Sequence, residues 1–160
     1  MSSIRHLSVA RIALWTDDGL LVQNDTRLAP EDQFYRLPGG RMDAGEQPQH
    51  TALREWAEEI VGSIELGPLW YITTTRFIRK GREIHETGYV FQGVRHPLVR
   101  LYTPREKHLP LHFVPQPQLN RINAQPRTLF LRMAEDGPKG PAVTQYIDCT
   151  AHSSEISRQT

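Results

Sequence analysis

Glu55, Glu58 and Glu59 stand at i, i+3 and i+4 in a segment that reads as a helix. At about 100° per residue, that spacing gathers three carboxylates into one arc of the helix surface. Like charges so close repel, by about a few tenths of a kcal/mol per pair even in solvent. Arg54 directly precedes them and neutralises part of the charge, but one guanidinium cannot satisfy three carboxylates. A hard divalent cation can, because Mg²⁺ takes oxygen ligands and combines carboxylates with substrate phosphate oxygens. The competing explanation is a solvated charged face, the ordinary fate of a Glu-Glu pair on a helix. The preceding loop, Pro38-Gly39-Gly40, shifts the balance. Glycines let the backbone approach a ligand closely, and carbonyl or N–H groups exposed there can meet metal or phosphate. Glu46, just before the helix, either favours its positive end or reaches Arg54 as a brace.

The elements that must position these groups can be read along the chain. A helix is expected from Pro48 to Val61, with proline in the first turn and Gly62 as the stop. Leu53, Trp56, Ala57 and Ile60 form its apolar stripe, centred nearly opposite the acids. Upstream, the apolar run Val9 to Trp15, the turn Asp17-Asp18-Gly19 and Leu20-Leu21-Val22 predict a hairpin. Leu69–Arg79 and Glu83–Val94 predict two strands joined at Lys80-Gly81-Arg82, and residues 96–111 an exposed loop. A short strand is expected at His112-Phe113-Val114, a second helix from Pro126 to Asp136-Gly137, and a last strand over Val143–Ile147. Strands flanking two well-separated helices imply a mixed α/β layer fold. Residues 1–150 read as one domain and 151–160 as a polar, frayed tail.

Composition narrows the function classes. The chain has 160 residues, 38% hydrophobic and 23% charged, which suits one ordinary globular core. A net charge of +1 supplies no global field toward nucleic acid or an anionic membrane, and no nucleic-acid partner is expected. Cys149 is the only cysteine, so neither an internal disulfide nor a cysteine-based zinc site can form. No run approaches the roughly 20 apolar residues of a membrane span, and a cytoplasmic location is the default expectation.

Gly40, Glu46 and the run Arg54-Glu55-Trp56-Ala57-Glu58-Glu59 closely resemble the Nudix box, G-x5-E-x7-R-E-U-x-E-E-x-G-U, where U is a bulky apolar residue. Tyr35-Arg36-Leu37-Pro38-Gly39 is similar to that family's approach to the box. Two positions depart from the pattern. Trp56 is larger than the usual aliphatic, and the terminal glycine falls at 62, with Val61 in its place. The resemblance spans about residues 5–150 and implies an α/β/α sandwich, with a mixed, partly antiparallel sheet between helices. It also implies hydrolysis of a nucleoside diphosphate linked to a further group X, by water attack at phosphorus. By position, Glu55, Glu58, Glu59 and the Gly39 carbonyl would ligate Mg²⁺ or Mn²⁺. Arg54 would orient a catalytic carboxylate, Glu46 would support that network, and Glu55 is the first candidate for general base. Glu106 sits where relatives often carry an extra acid, and Gly40 and Arg36 are placed to meet substrate phosphate. Phe34, Tyr35 and Phe77 could stack on a base, and His85 or Glu86 could touch substrate from a strand. The box is shared by enzymes that cleanse modified nucleoside triphosphates, and a nucleotide-sensing module without catalysis is the reading from another class. Many members of the family dimerise, so a homodimer is within the expectation.

Overall fold

The computed structural model describes residues 3–150, so the tail expected over 151–160 lies outside the described residues. In chain order the strands and helices are β1 (Arg5–Thr16), β2 (Gly19–Asn24), β3 (Tyr35–Arg36), β4 (Gly39–Arg41), α1 (Pro48–Glu59) and β5 (Ile60–Val61). Then come β6 (Ile64–Arg79), β7 (Arg82–Arg95), β8 (Thr103–Pro104), β9 (Leu111–Val114), α2 (Arg127–Asp136) and β10 (Gln145–Asp148).

The main sheet runs β10-β6-β7-β1-β2-β3, with β4 also on β1 and β9 also on β2. It is mixed. The hairpin partners β1–β2 and β6–β7 are antiparallel, while β1 runs parallel to β7 and β10 parallel to β6. Strand alternation splits the core into two layers. Ala10, Ile12 and Leu14 of β1 pack with Leu21, Ala52, Trp56 and Ile60. Ala13, on the opposite face, packs with Leu20, Val22, Leu129, Phe130 and Met133. Helix α1 therefore covers one face and α2 the other, which is the expected α/β/α sandwich.

Helix α1 differs from its expected form in two ways. It ends at Glu59, because Ile60 and Val61 turn extended and pair with Thr103 and Pro104 inside the stretch read as loop. Gly62 follows at φ +120°, in the left-handed region, and a Cβ there would strike the Tyr102 ring. The displaced glycine thus closes a two-residue strand after the helix. The buried face is also rotated. Thr51, Ala52 and Trp56 are buried, whereas Leu53 is 41% exposed and Ala57 also faces solvent. On a helix, Ala52, Trp56 and Ile60 form one i+4 row, and Glu55 and Glu59 lie beside it rather than opposite. Two of the three acids consequently turn inward. Strand β6 begins at Ile64, five residues before its expected start, and is irregular between Leu66 and Tyr71.

Candidate active site

Arg54 organises the outer side of the helix. Its Nε donates to Glu46 Oε2 and its Nη2 to Glu46 Oε1, both at 2.8 Å, a bidentate pair. Nη1 donates to Glu55 Oε1 at 3.0 Å and to Glu58 Oε1 at 3.3 Å. Glu46 Oε1 also accepts from the Asp43 backbone N–H at 2.8 Å and the Thr51 hydroxyl at 2.9 Å. These bonds, led by Arg54, hold the Glu46 carboxyl down at about 2. Glu46 thus accepts from four protein donors, two of them on Arg54. Glu58 is 57% exposed in its side chain, outside the pocket lining.

The inner side opens on a pocket of about 480 Å³, within the usual range for a small-molecule site. Glu55 and Glu59 line it together with Gly39, Gly40, Arg11, Arg36, Arg41 and Glu86. Phe34, Phe77 and Leu28 add apolar wall, and Arg27 is held by Asp25 in a two-pronged pair at 2.9 and 2.8 Å. Gly40 gives the Glu55 carboxylate its room, since a Cβ there would overlap that carboxylate and make it shift. Burial pushes the Glu59 carboxyl up and Glu55 adds to the rise, while Arg36, Arg11 and Gln23 oppose it. Glu59 Oε2 is buried without a hydrogen-bond partner, and so is Arg36 Nε. Burial and the nearby Arg36 pull the Arg11 guanidinium down, against Glu86, Glu59 and Glu55. Arg11 Nη1 donates to the Leu37 carbonyl at 3.0 Å, tying β1 to the chain just before the glycine loop.

Among the described residues no three His, Cys, Asp or Glu side chains converge as a closed metal cage. That does not oppose Mg²⁺, which is commonly held by one or two carboxylates plus substrate phosphates and water. The donor set fits such an ion: hard oxygens, one of them buried and unpartnered, beside a glycine backbone that admits close approach.

The remaining candidates divide. Arg36, Gly39, Gly40, Glu55, Glu59, Phe34, Phe77 and Glu86 meet at the pocket. Glu106 does not: it lies on the loop after β8, 48% exposed in its side chain, with His108 Nδ1 3.6 Å away. His85 is spent on Glu83 at 2.8 Å, and Tyr35 packs edge-on against His112. Cys149 is buried, and burial raises its thiol to about 11. Sequence reading passed over Arg11 and Gln23. The available signal was a charged or amide side chain inside an otherwise apolar strand, Ala10-Arg11-Ile12 and Leu21-Val22-Gln23.

Residues 4–132 match the family model described as the NUDIX domain. The chain belongs to the Nudix family, and it is a hydrolase acting on phosphoanhydride bonds. No curated protein matches it. Its fold is that of a NUDIX hydrolase from Nitrosomonas europaea, with TM-score 0.62 at 16% identity, over 90% of this chain and 80% of that one. A MutT protein from Methanosarcina mazei gives TM-score 0.67 at 15% identity, over 84% and 97%. An ADP-ribose pyrophosphatase from Streptococcus suis gives 0.58 at 13%, over 89% and 98%. No helix among the described residues is long and apolar enough to cross a membrane.

Proposed function

We propose that this hydrolase cleaves a nucleoside diphosphate linked to a further group X, with Mg²⁺ or Mn²⁺ held by Glu55, Glu58, Glu59 and the Gly39 carbonyl. The observation that carries the reading is the buried, unpartnered Glu59 oxygen in a pocket shared with Glu55, Arg11 and Arg36. When bound, the metal would neutralise charge on the diphosphate and favour ionisation of the attacking water.

The chain's own residues would do the rest. Arg11 and Arg36 face the acids across the pocket and suit the non-bridging phosphate oxygens as N–H donors. Gly40 keeps space for the Glu55 carboxylate, and Arg54 fixes it from outside through Nη1. So held, Glu55 is the candidate to take a proton from the attacking water. Phe34 and Phe77 offer ring faces to a base. Nucleotide-type substrates and a lone unpaired thiol suit a cytoplasmic setting. Any homodimer would show in light scattering.

The test is a panel of nucleotide sugars, dinucleoside polyphosphates and nucleoside triphosphates with Mg²⁺, the products identified by mass. Release of two monophosphates supports the proposal. Release of pyrophosphate from a triphosphate would move the substrate to the cleansing class, and no turnover of any member would favour a sensing module.

A further inference from the structure

Gln23 is fully buried on β2, and neither its amide oxygen nor its amide nitrogen has a hydrogen-bond partner. Its strand otherwise buries Leu20, Leu21 and Val22, so the fold alone would be served better by Leu or Met at 23. An amide left unpaired inside a protein destabilises it, and replacing such a group by an apolar one of similar shape is neutral or favourable. A residue that costs stability where it stands calls for a role in the site.

Its surroundings give one. Strand alternation puts Gln23 on the same face as Leu21, which packs in the layer under α1. Gln23 is the direct cross-strand partner of Arg36, so both side chains rise from that face side by side. Helix α1 brings Glu59 to the pocket wall that Arg36 shares and within reach of the Gln23 amide, though no formed bond joins the two. The unpartnered atoms here are complementary: N–H donors on Gln23 and Arg36, acceptors on Glu59 and Gln23. On the outer side, Arg54 holds Glu55 and Glu58 but makes no hydrogen bond to Glu59.

We infer that Gln23 is the positioning residue of Glu59, its amide N–H steering the buried carboxylate so that the other oxygen faces the pocket. Gln23 acts through Glu59 and touches neither the metal nor the substrate. The inference rests on the proposed function, which makes Glu59 a metal ligand. It adds a partner contributed by the sheet to a set of ligands drawn from one loop and one helix.

Gln23→Leu and the longer, unbranched Gln23→Met separate this from a structural role. Both variants are expected to melt at or above the wild-type temperature in a thermal denaturation scan. Mn²⁺ binding without substrate, followed by electron paramagnetic resonance of the free ion, should weaken about 10- to 100-fold. The Mg²⁺ concentration for half-maximal hydrolysis should rise by a similar factor, with kcat at saturating Mg²⁺ changed much less. Wild-type Mn²⁺ affinity in both variants overturns the inference, as does a melting temperature lowered in both. Glu59→Gln, measured alongside, tells which premise has failed. If it too binds Mn²⁺ like the wild type, the ligand assignment falls and takes the inference with it. If it loses Mn²⁺ while both Gln23 variants keep it, only the role of Gln23 falls.

Discussion

Glu46 and Glu59 belong to the same loop-and-helix unit, yet the protein treats their carboxylates in opposite ways. Glu46 accepts four hydrogen bonds, from Asp43, Thr51 and the two prongs of Arg54. Glu59 is turned under the helix, with one oxygen buried and unpartnered and its carboxyl pushed up by burial. A satisfied carboxylate can only hold something in place, whereas an unsatisfied buried one still has binding capacity to give. On the proposed function, Glu46 braces the site and Glu59 belongs to its working face. The three acids of the helix do not gather into a closed cage: Glu58 lies against Arg54 outside the pocket lining, Glu59 lines the pocket, and Glu55 does both.

The largest effect that would sharpen this contrast is expected at Gly40, where brace and working face meet. Gly40→Ala would drive a methyl group into the Glu55 carboxylate. Displacing a reacting group by about an ångström can cost on the order of 10²-fold, so kcat should fall by about that much. Urea denaturation should show little change, because the atoms displaced are the far end of the flexible Glu55 side chain. Wild-type kinetics in this variant would mean that the Glu55 position is not critical.

A smaller effect is expected from Arg54→Lys. An ammonium cannot reproduce the two-pronged grip on Glu46 while also reaching Glu55 and Glu58. Steady-state turnover should fall about tenfold, with Mn²⁺ binding affected less than in Glu59→Gln. Equal loss of Mn²⁺ binding in the two variants would erase the distinction between brace and ligand.

The smallest effect is one of pH. Glu46 titrates near 2 in the folded chain, below the ordinary value of 4.5. The stability it contributes is therefore fully present above about 4.5 and is lost as pH falls toward about 2. Glu46→Gln should flatten the fall of melting temperature across that window. A residual slope should remain from Asp25, which Arg27 likewise holds near 2. An unchanged slope would show that Glu46 is not the paired acid it is taken to be.

The neighbours Arg54, Glu55 and Glu58 were legible because a helix converts their separations directly into contacts, while the reach of Glu46 to Arg54 was one of two readings left open. The working face was only half legible. Arg11, Gln23, Phe77 and Glu86 arrive on β1, β2, β6 and β7, and what brings them together is long-range pairing, such as the parallel register of Arg11 against Val90. No local pattern encodes that register. The helix end was misread for a related reason. Ile60 and Val61 continue the helical pattern, but pairing with Thr103 and Pro104, distant in sequence, draws them into extended backbone. The rotated apolar stripe has the same origin, because the sheet under α1 takes the Ala52-Trp56-Ile60 row and leaves Leu53 outside. The mixed α/β layering survived these local errors because it depends on strand alternation and on two helices, which the residue pattern carries, whereas the α/β/α order was implied by the Nudix resemblance.

The most direct test measures Mg²⁺-dependent hydrolysis of one nucleoside diphosphate-X substrate by wild type, Glu59→Gln and Glu46→Gln, with melting temperatures alongside. Loss of a ligand's outer support costs about 10–100-fold, and loss of the ligand itself in Glu59→Gln should cost turnover at least that much without lowering thermal stability. Glu46→Gln should keep a substantial share of turnover. Glu59→Gln turning over like the wild type, or Glu46→Gln failing more deeply at equal stability, would contradict the division between working face and brace.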